Sequence, residues 1–148
     1  MEVSIKHFDE LTTSELYAIL RLRSEVFVVE QNCVYQDIDA KDQKAIHIIG
    51  SKKGEVVAYT RIFKAGDYFK NTAIGRVVVK KSEREYGYGR TIMEASLDYI
   101  SKTLQEKGIE LSAQTYLLRF YSDLGFKKTG KEYLEDGIPH IRMFKSNA

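Results

Sequence analysis

With 148 residues, 43% of them apolar and 30% charged, the chain has the balance of an ordinary globular protein with a core of useful size. Twenty-three basic against twenty-one acidic side chains leave a formal charge of +2, too near neutrality to argue for a nucleic-acid binder. A single cysteine, Cys33, excludes an intrachain disulfide, and no Cys/His framework for a metal accompanies it.

The opening residues lack a basic region followed by an apolar stretch, so no signal peptide is expected. No apolar run reaches the length of a membrane span. One proline, Pro139, and the lack of repeats or linkers predict one domain over 1–148. The expectation is a cytoplasmic protein with no metal, no nucleic acid and no membrane partner.

In chain order, Val3 to His7 reads as a strand. Thr12 with Glu15 three residues on is a capping box. Leu16, Ile19, Leu20, Arg23 and Phe27 then recur at helical spacing. Residues 30–44 are polar and predict an irregular or weakly helical segment. Ala45 to Ser51 and Glu55 to Phe63 form a hairpin about Lys53-Gly54. Ala73 to Lys80 is a strand, with Val77-Val78-Val79 patterned as though covered on both faces.

After a loop with two close glycines, a helix runs from about Gly89 to Thr103, with Gly108 as its expected stop. Ile109 to Ala113 is a strand and Thr115 to Leu124 a helix ended by Gly125. Phe126 to Leu134 and Ile138 to Lys145 form a last hairpin, turned by Glu135-Asp136-Gly137. The class is α/β with a mixed (α+β) sheet, and the strand–loop–helix–strand unit in the middle is a crossover joining a parallel pair. The exposed edge of the last hairpin offers a surface for a homodimer.

Arg84-Glu85-Tyr86-Gly87-Tyr88-Gly89-Arg90 is the sharpest local signal. Glycines at 87 and 89 let the backbone turn and expose N–H groups at a helix start, where unpaired donors favour a phosphate. Lys80, Lys81, Arg84 and Arg90 add positive charge. The same residues also describe a plain turn with a solvated basic face. A Walker loop is excluded because no Gly-Lys-Ser/Thr follows, and a Rossmann loop would follow the first strand with three glycines.

These residues resemble the GNAT superfamily of N-acetyltransferases. Arg84-x-x-Gly87-x-Gly89 is similar to that family's Arg/Gln-x-x-Gly-x-Gly/Ala loop, which holds the pyrophosphate of coenzyme A. Gln114 to Phe126 resembles its second signature, with Tyr121, Gly125 and Phe126 in register. Gln114, Leu117 and Phe120 replace the usual Asn, Ala and Leu. Val26 to Asp39, Arg76 to Val79 and Asp136 to Ile141 are similar to the ElaA-type branch. The resemblance spans nearly the whole chain.

The resemblance implies the GNAT acyl-CoA N-acyltransferase fold and acetyl-coenzyme A as acyl donor. The donor would contact Val77, Val78 and Val79, the loop residues Arg84, Glu85, Tyr86, Gly87, Tyr88, Gly89 and Arg90, and Gln114 and Tyr121. A free backbone N–H near Val78 would polarise the thioester carbonyl. Tyr121 matches the family's general acid; periodicity alone reads it as a core tyrosine beside Leu117 and Leu124.

The acceptor side would be walled by Glu30, Gln31, Asp37, Asp39, Glu135 and His140. Among these His140 is chemically the most apt base, with Glu30 a second candidate. Arg76, Glu30, Glu135 and His140 are the candidate substrate contacts, Arg76 either binding an acidic group or pairing with a nearby carboxylate. Any single acid here also reads as a solvated loop charge. His47 reads as a structural histidine, and Cys33 as incidental.

The expected reaction is acetyl transfer to a primary amine. The alternatives are a coenzyme A-binding module without catalysis and a nucleic-acid-binding domain using the basic and aromatic residues between Arg61 and Arg90. Arg23-x-x-Val26-Phe27 also resembles acyl-homoserine-lactone synthases, whose other signature residues are not evident.

Overall fold

Thr12 caps the first helix as its sequence predicts. Its hydroxyl accepts from the Glu15 amide at 3.0 Å, and the Glu15 carboxylate accepts from the Thr12 amide at 2.9 Å. The structure, a computed structural model, describes residues 1–147; Ala148, the last residue of the expected domain, lies outside them.

Helix α1 spans Thr13–Arg23 and continues as a π-helical segment over Ser24–Glu30. The amides of Gln31 and Cys33 donate to the carbonyls of Val26 and Val28, each at 3.0 Å and each spanning five residues. Helical winding therefore extends beyond Phe27 to Glu30, the first residue of the polar segment. Apolar spacing reports the ordinary winding only; here Val26 and Phe27 are both held in the core while the turn widens around them.

Strand β1 (Glu2–His7) pairs antiparallel with β2 (Ile46–Lys52), which turns into β3 (Glu55–Phe63). Lys53 and Gly54 both have positive φ, 52° and 79°, as a tight two-residue hairpin turn requires. Strand β4 (Thr72–Val79) leads through the glycine loop to α2 (Tyr88–Tyr99), then to β5 (Gly108–Gln114), α3 (Leu118–Asp123), β6 (Lys127–Glu135) and β7 (Ile138–Ser146).

The sheet order is β1-β2-β3-β4-β5-β7-β6, and β4–β5 is its parallel pair. The winding of α2 continues to Leu104 and ends on Gln105, in the left-handed region at φ 54°. Gly108 is thus not the helix stop. It opens β5, where a Cβ would lie 3.0 Å from the Phe144 ring.

Strand alternation divides the core between the two faces of the sheet. Ile49, Tyr59 and Val78 pack with Ile19, Leu22, Val26 and Phe27 of the α1 side. Ile48, Ala58, Ile62 and Ile74 pack with Ile92, Met93 and Tyr121 of the α2 and α3 side. Val77 and Val79 join that second layer only half-buried, because β4 has an open flank there.

Candidate active site

Strands β4 and β5 are paired at only two positions, Thr72 with Ile109 and Ala73 with Glu110. Beyond them the strands part, while β5 stays paired with β7 to its last residue, Gln114. The gap is a cleft of about 800 Å³, reaching from the glycine loop to the last hairpin.

A bulge drives the parting. Tyr59 faces Val78 and Arg61 faces Gly75, so Arg76 and Val77 together stand opposite the single Thr60. Arg76 takes the extra residue's place at φ 50°. Beyond the bulge, the Lys80 amide donates to the Val57 carbonyl at 2.8 Å. Hydrogen-bonded pairs alternate along an antiparallel ladder, so the next is Tyr59–Val78. The polar groups of Val77 and Val79 therefore turn to the cleft. The open amide expected near Val78 belongs to its neighbours, since Val78 itself faces β3.

At the loop end, Gly87 has φ 74°, a conformation natural to glycine, and caps α2. The first backbone bond into the helix runs from the Thr91 amide to the Gly87 carbonyl. The amides ahead of it lack helical acceptors, and Gly87, Gly89 and Arg90 line the cleft. Gly89 faces Val79 and Phe120, each 3.7 Å from where its Cβ would stand. Glu85, Tyr86 and Tyr88 do not line the cleft; Tyr86 and Tyr88 lie 5.5 Å apart with the Lys52 ammonium over both rings.

The basic halo is largely paired: Lys80 with Glu55, Arg90 with Glu94 and Arg84 with Glu30. Hydrogen bonds and charge from Arg84 hold the Glu30 carboxyl below its ordinary range.

Tyr121 lies at the cleft wall, 5% exposed, edge-on to Phe120 and Phe126. Burial pushes its phenol above the ordinary value. Among the described residues its hydroxyl makes no hydrogen bond. Gln114, opposite His140 in the β5–β7 register, exchanges amide contacts with Gln31 at 3.3 and 3.4 Å.

His140 has its Nδ1 2.7 Å from the Ile138 carbonyl, which can only accept, so Nδ1 carries a proton. Nε2 lies 3.3 Å from the Glu135 carboxylate. The ring stacks on Tyr133, whose hydroxyl meets Ser112. Cys33 Sγ lies 3.3 Å from the Asp136 carbonyl and ties the segment after α1 to this last turn.

Asp37 and Asp39 are neither solvated loop charges nor part of the cleft wall. They belong to an ion-pair cluster of three arginines and three aspartates, buried at Arg23, Arg61, Asp37 and Asp42 and partly exposed at Asp39 and Arg76. Arg23, 0% exposed, reaches Asp37 at 3.0 Å and Asp42 at 2.7 Å; Arg61, 1% exposed, reaches Asp42 at 2.9 Å and Asp39 at 2.6 Å. Arg76 completes it, with Nε 2.8 Å from Asp37 Oδ1, an ionic contact off the line of a hydrogen bond. Of its two expected roles, Arg76 has the carboxylate pairing in this structure.

His47 is satisfied by the Tyr59 hydroxyl at 2.6 Å and the Asp42 carbonyl at 3.0 Å. Burial lowers its pKa. Sequence reading missed this cluster. Its one local signal is an arginine, Arg23, placed within the apolar stripe of α1. Phe120 and Ser112 of the cleft wall were missed too, each adjacent to or alternating with a residue the motifs marked.

The acetyltransferase (GNAT) domain family matches residues 10–147. ElaA of Escherichia coli strain K12 is 45% identical over 139 residues, covering 93% of this chain and 91% of that protein. Its crystal structure superposes with a TM-score of 0.91 at 43% identity, over 98% of this chain and 99% of that one. An acyl-CoA N-acyltransferase from Pseudomonas aeruginosa superposes with a TM-score of 0.93 at 38% identity, over 99% and 100% of the two chains.

An aminoglycoside 6'-N-acetyltransferase complexed with coenzyme A shares the fold at 16% identity and a TM-score of 0.72, over 97% of this chain and 96% of that one. A splayed parallel pair, a glycine-started helix at its mouth and these likenesses agree: the chain is an acyltransferase of the GNAT acetyltransferase family, in the branch that contains ElaA.

Proposed function

We propose that the protein transfers an acetyl group from acetyl-coenzyme A to a primary amine by direct attack on the thioester. The observation that carries this reading is the β4–β5 gap, with the Val77 and Val79 polar groups turned into it. The pantetheine arm lies along Val77–Val79 as an added strand would. Its pyrophosphate sits at the start of α2 beside Arg84, Gly87 and Gly89. The coenzyme A held by the aminoglycoside enzyme of the same fold supports this donor.

The Val77 amide, just past the bulge, is the donor to the thioester oxygen as it gains charge. The amine loses its proton to His140 Nε2, and the Glu135 carboxylate at 3.3 Å stabilises the imidazolium. The new C–N bond forms, the C–S bond breaks, and Tyr121 gives its proton to the departing thiolate. His140 releases its proton to solvent and Tyr121 regains one. The Glu135 and Asp136 side chains make this end of the cleft favour a cationic acceptor.

Calorimetric titration with acetyl-coenzyme A, beside an Arg84→Ala/Gly87→Glu double variant, tests the donor site. Binding by the native protein that is lost in the variant supports it and opens an amine screen with Tyr121→Phe as control. No binding by a folded native protein overturns it. Binding with no turnover across a broad amine panel would favour the non-catalytic module.

A further inference from the structure

Glu30 and Gln31 end the π-helical continuation of α1, and these neighbours reach opposite walls of the cleft. Glu30 accepts from both terminal nitrogens of Arg84, at 2.6 and 2.8 Å, on the β4 side. Gln31 meets Gln114 at the end of β5. Arg84 Nε donates to the Val79 carbonyl at 3.0 Å, so each of the three guanidinium nitrogens has a partner. Two successive residues thus cross the gap, and they occupy the groups that a donor would use at its mouth.

We propose that Glu30 is a donor-affinity determinant: an acid that competes with the coenzyme A pyrophosphate for Arg84. The proposal rests on the donor site described above. Coenzyme A enters by exchange, its pyrophosphate taking Arg84 from Glu30 and its arm taking the Val79 carbonyl from Arg84 Nε. A fork-shaped guanidinium suits a carboxylate and a phosphate alike, so the trade is between like geometries.

Neither partner is locked in place. The Glu30 side chain is 28% exposed and that of Arg84 41%, so the displaced carboxylate has water to turn into. Gln31, held on the far wall, keeps the chain end over the channel, ready to re-form the pair when product leaves. Glu30 therefore weakens donor and product coenzyme A together and eases product departure.

The opposite role is that Glu30 orients Arg84 for the donor, and the two roles differ in sign. The test is titration of native protein, Glu30→Gln, Arg84→Ala and the double variant with coenzyme A, at one ionic strength and with thermal melts to confirm folding. Glu30→Gln is expected to bind about two- to tenfold tighter, the range of an exposed but bidentate ion pair. The gain is expected to vanish in the Arg84→Ala background.

Unchanged or weaker binding by Glu30→Gln, with the native protein binding coenzyme A, overturns the competition alone. A gain that persists without Arg84 also overturns it, leaving simple repulsion between carboxylate and pyrophosphate. No binding by the folded native protein overturns the donor site itself.

Discussion

Arg76 stands in the left-handed region at φ 50°, and its Nε lies 2.8 Å from Asp37 Oδ1. The residue that makes the β4 bulge is thus tied to the segment after α1 by charge. A side chain at this φ carries strain that glycine does not. Arg76→Gly and Arg76→Ala both lose the ion pair, but only the alanine variant keeps the strain. Urea unfolding should find the glycine variant more stable by about 1 kcal/mol. Equal stabilities would show that the bulge is unstrained.

Asp42 lies between two buried guanidiniums, 2.7 Å from Arg23 and 2.9 Å from Arg61. Asp42→Asn keeps the shape and leaves the cluster with an uncompensated buried positive charge. Breaking such a network costs about 3–5 kcal/mol. The same substitution at Asp98, exposed and paired with Lys102, should change stability by less than about 0.5 kcal/mol. Chemical denaturation of the two variants side by side distinguishes the sites; similar losses would contradict the buried network.

Acid should destabilise the protein in two stages. Burial lowers the His47 pKa, so below about pH 6.5 the unfolded chain binds a proton that the folded one resists. Burial pushes the Asp39 carboxyl up, yet Arg61 hydrogen bonds and charge, with Arg76 beside them, bring it down to about 2. Asp42 is lowered likewise against burial, chiefly by Arg23. Depressed carboxyls contribute stability that is present above about pH 4 and is lost as pH falls toward 2. Urea midpoints measured from pH 7 to 2 should fall through both windows. His47→Gln should flatten the upper stage and leave the lower one.

The Tyr121 phenol, protonated at neutral pH as any tyrosine is, is raised further above its ordinary value by burial. Tyr121→Phe preserves the edge-on contacts with Phe120 and Phe126 and removes only the hydroxyl. Turnover with any amine found by screening should fall by about a hundredfold or more, with coenzyme A affinity changed less than about twofold. A parallel fall in affinity would mark the hydroxyl as a binding group instead of a proton donor.

Much of the fold was legible because its signals are local. Thr12 and Glu15 cap a helix through their own backbones, Lys53-Gly54 turn a hairpin through their own φ angles, and β2 and β3 carry the near-continuous buried runs of strands covered on both faces. The glycine loop was legible for the same reason. Gly108 misled because a glycine after a helix suggests a stop, whereas here the Phe144 ring, from a strand more than thirty residues away, leaves little room for a Cβ.

By itself the sequence determined the order of the elements, the parallel crossover and the place of the glycine loop between strand and helix. Only the tertiary structure decided that Asp37 and Asp39 turn to the arginines, that the backbone polar groups of Val77 and Val79 rather than those of Val78 turn to the cleft, and that Arg84 is engaged by Glu30. The physical reason is range. Caps, turns and alternation depend on neighbours a few residues apart. The partner of a charge depends on which segments the sheet brings together, and Glu30 and Arg84 are separated by 54 positions of chain.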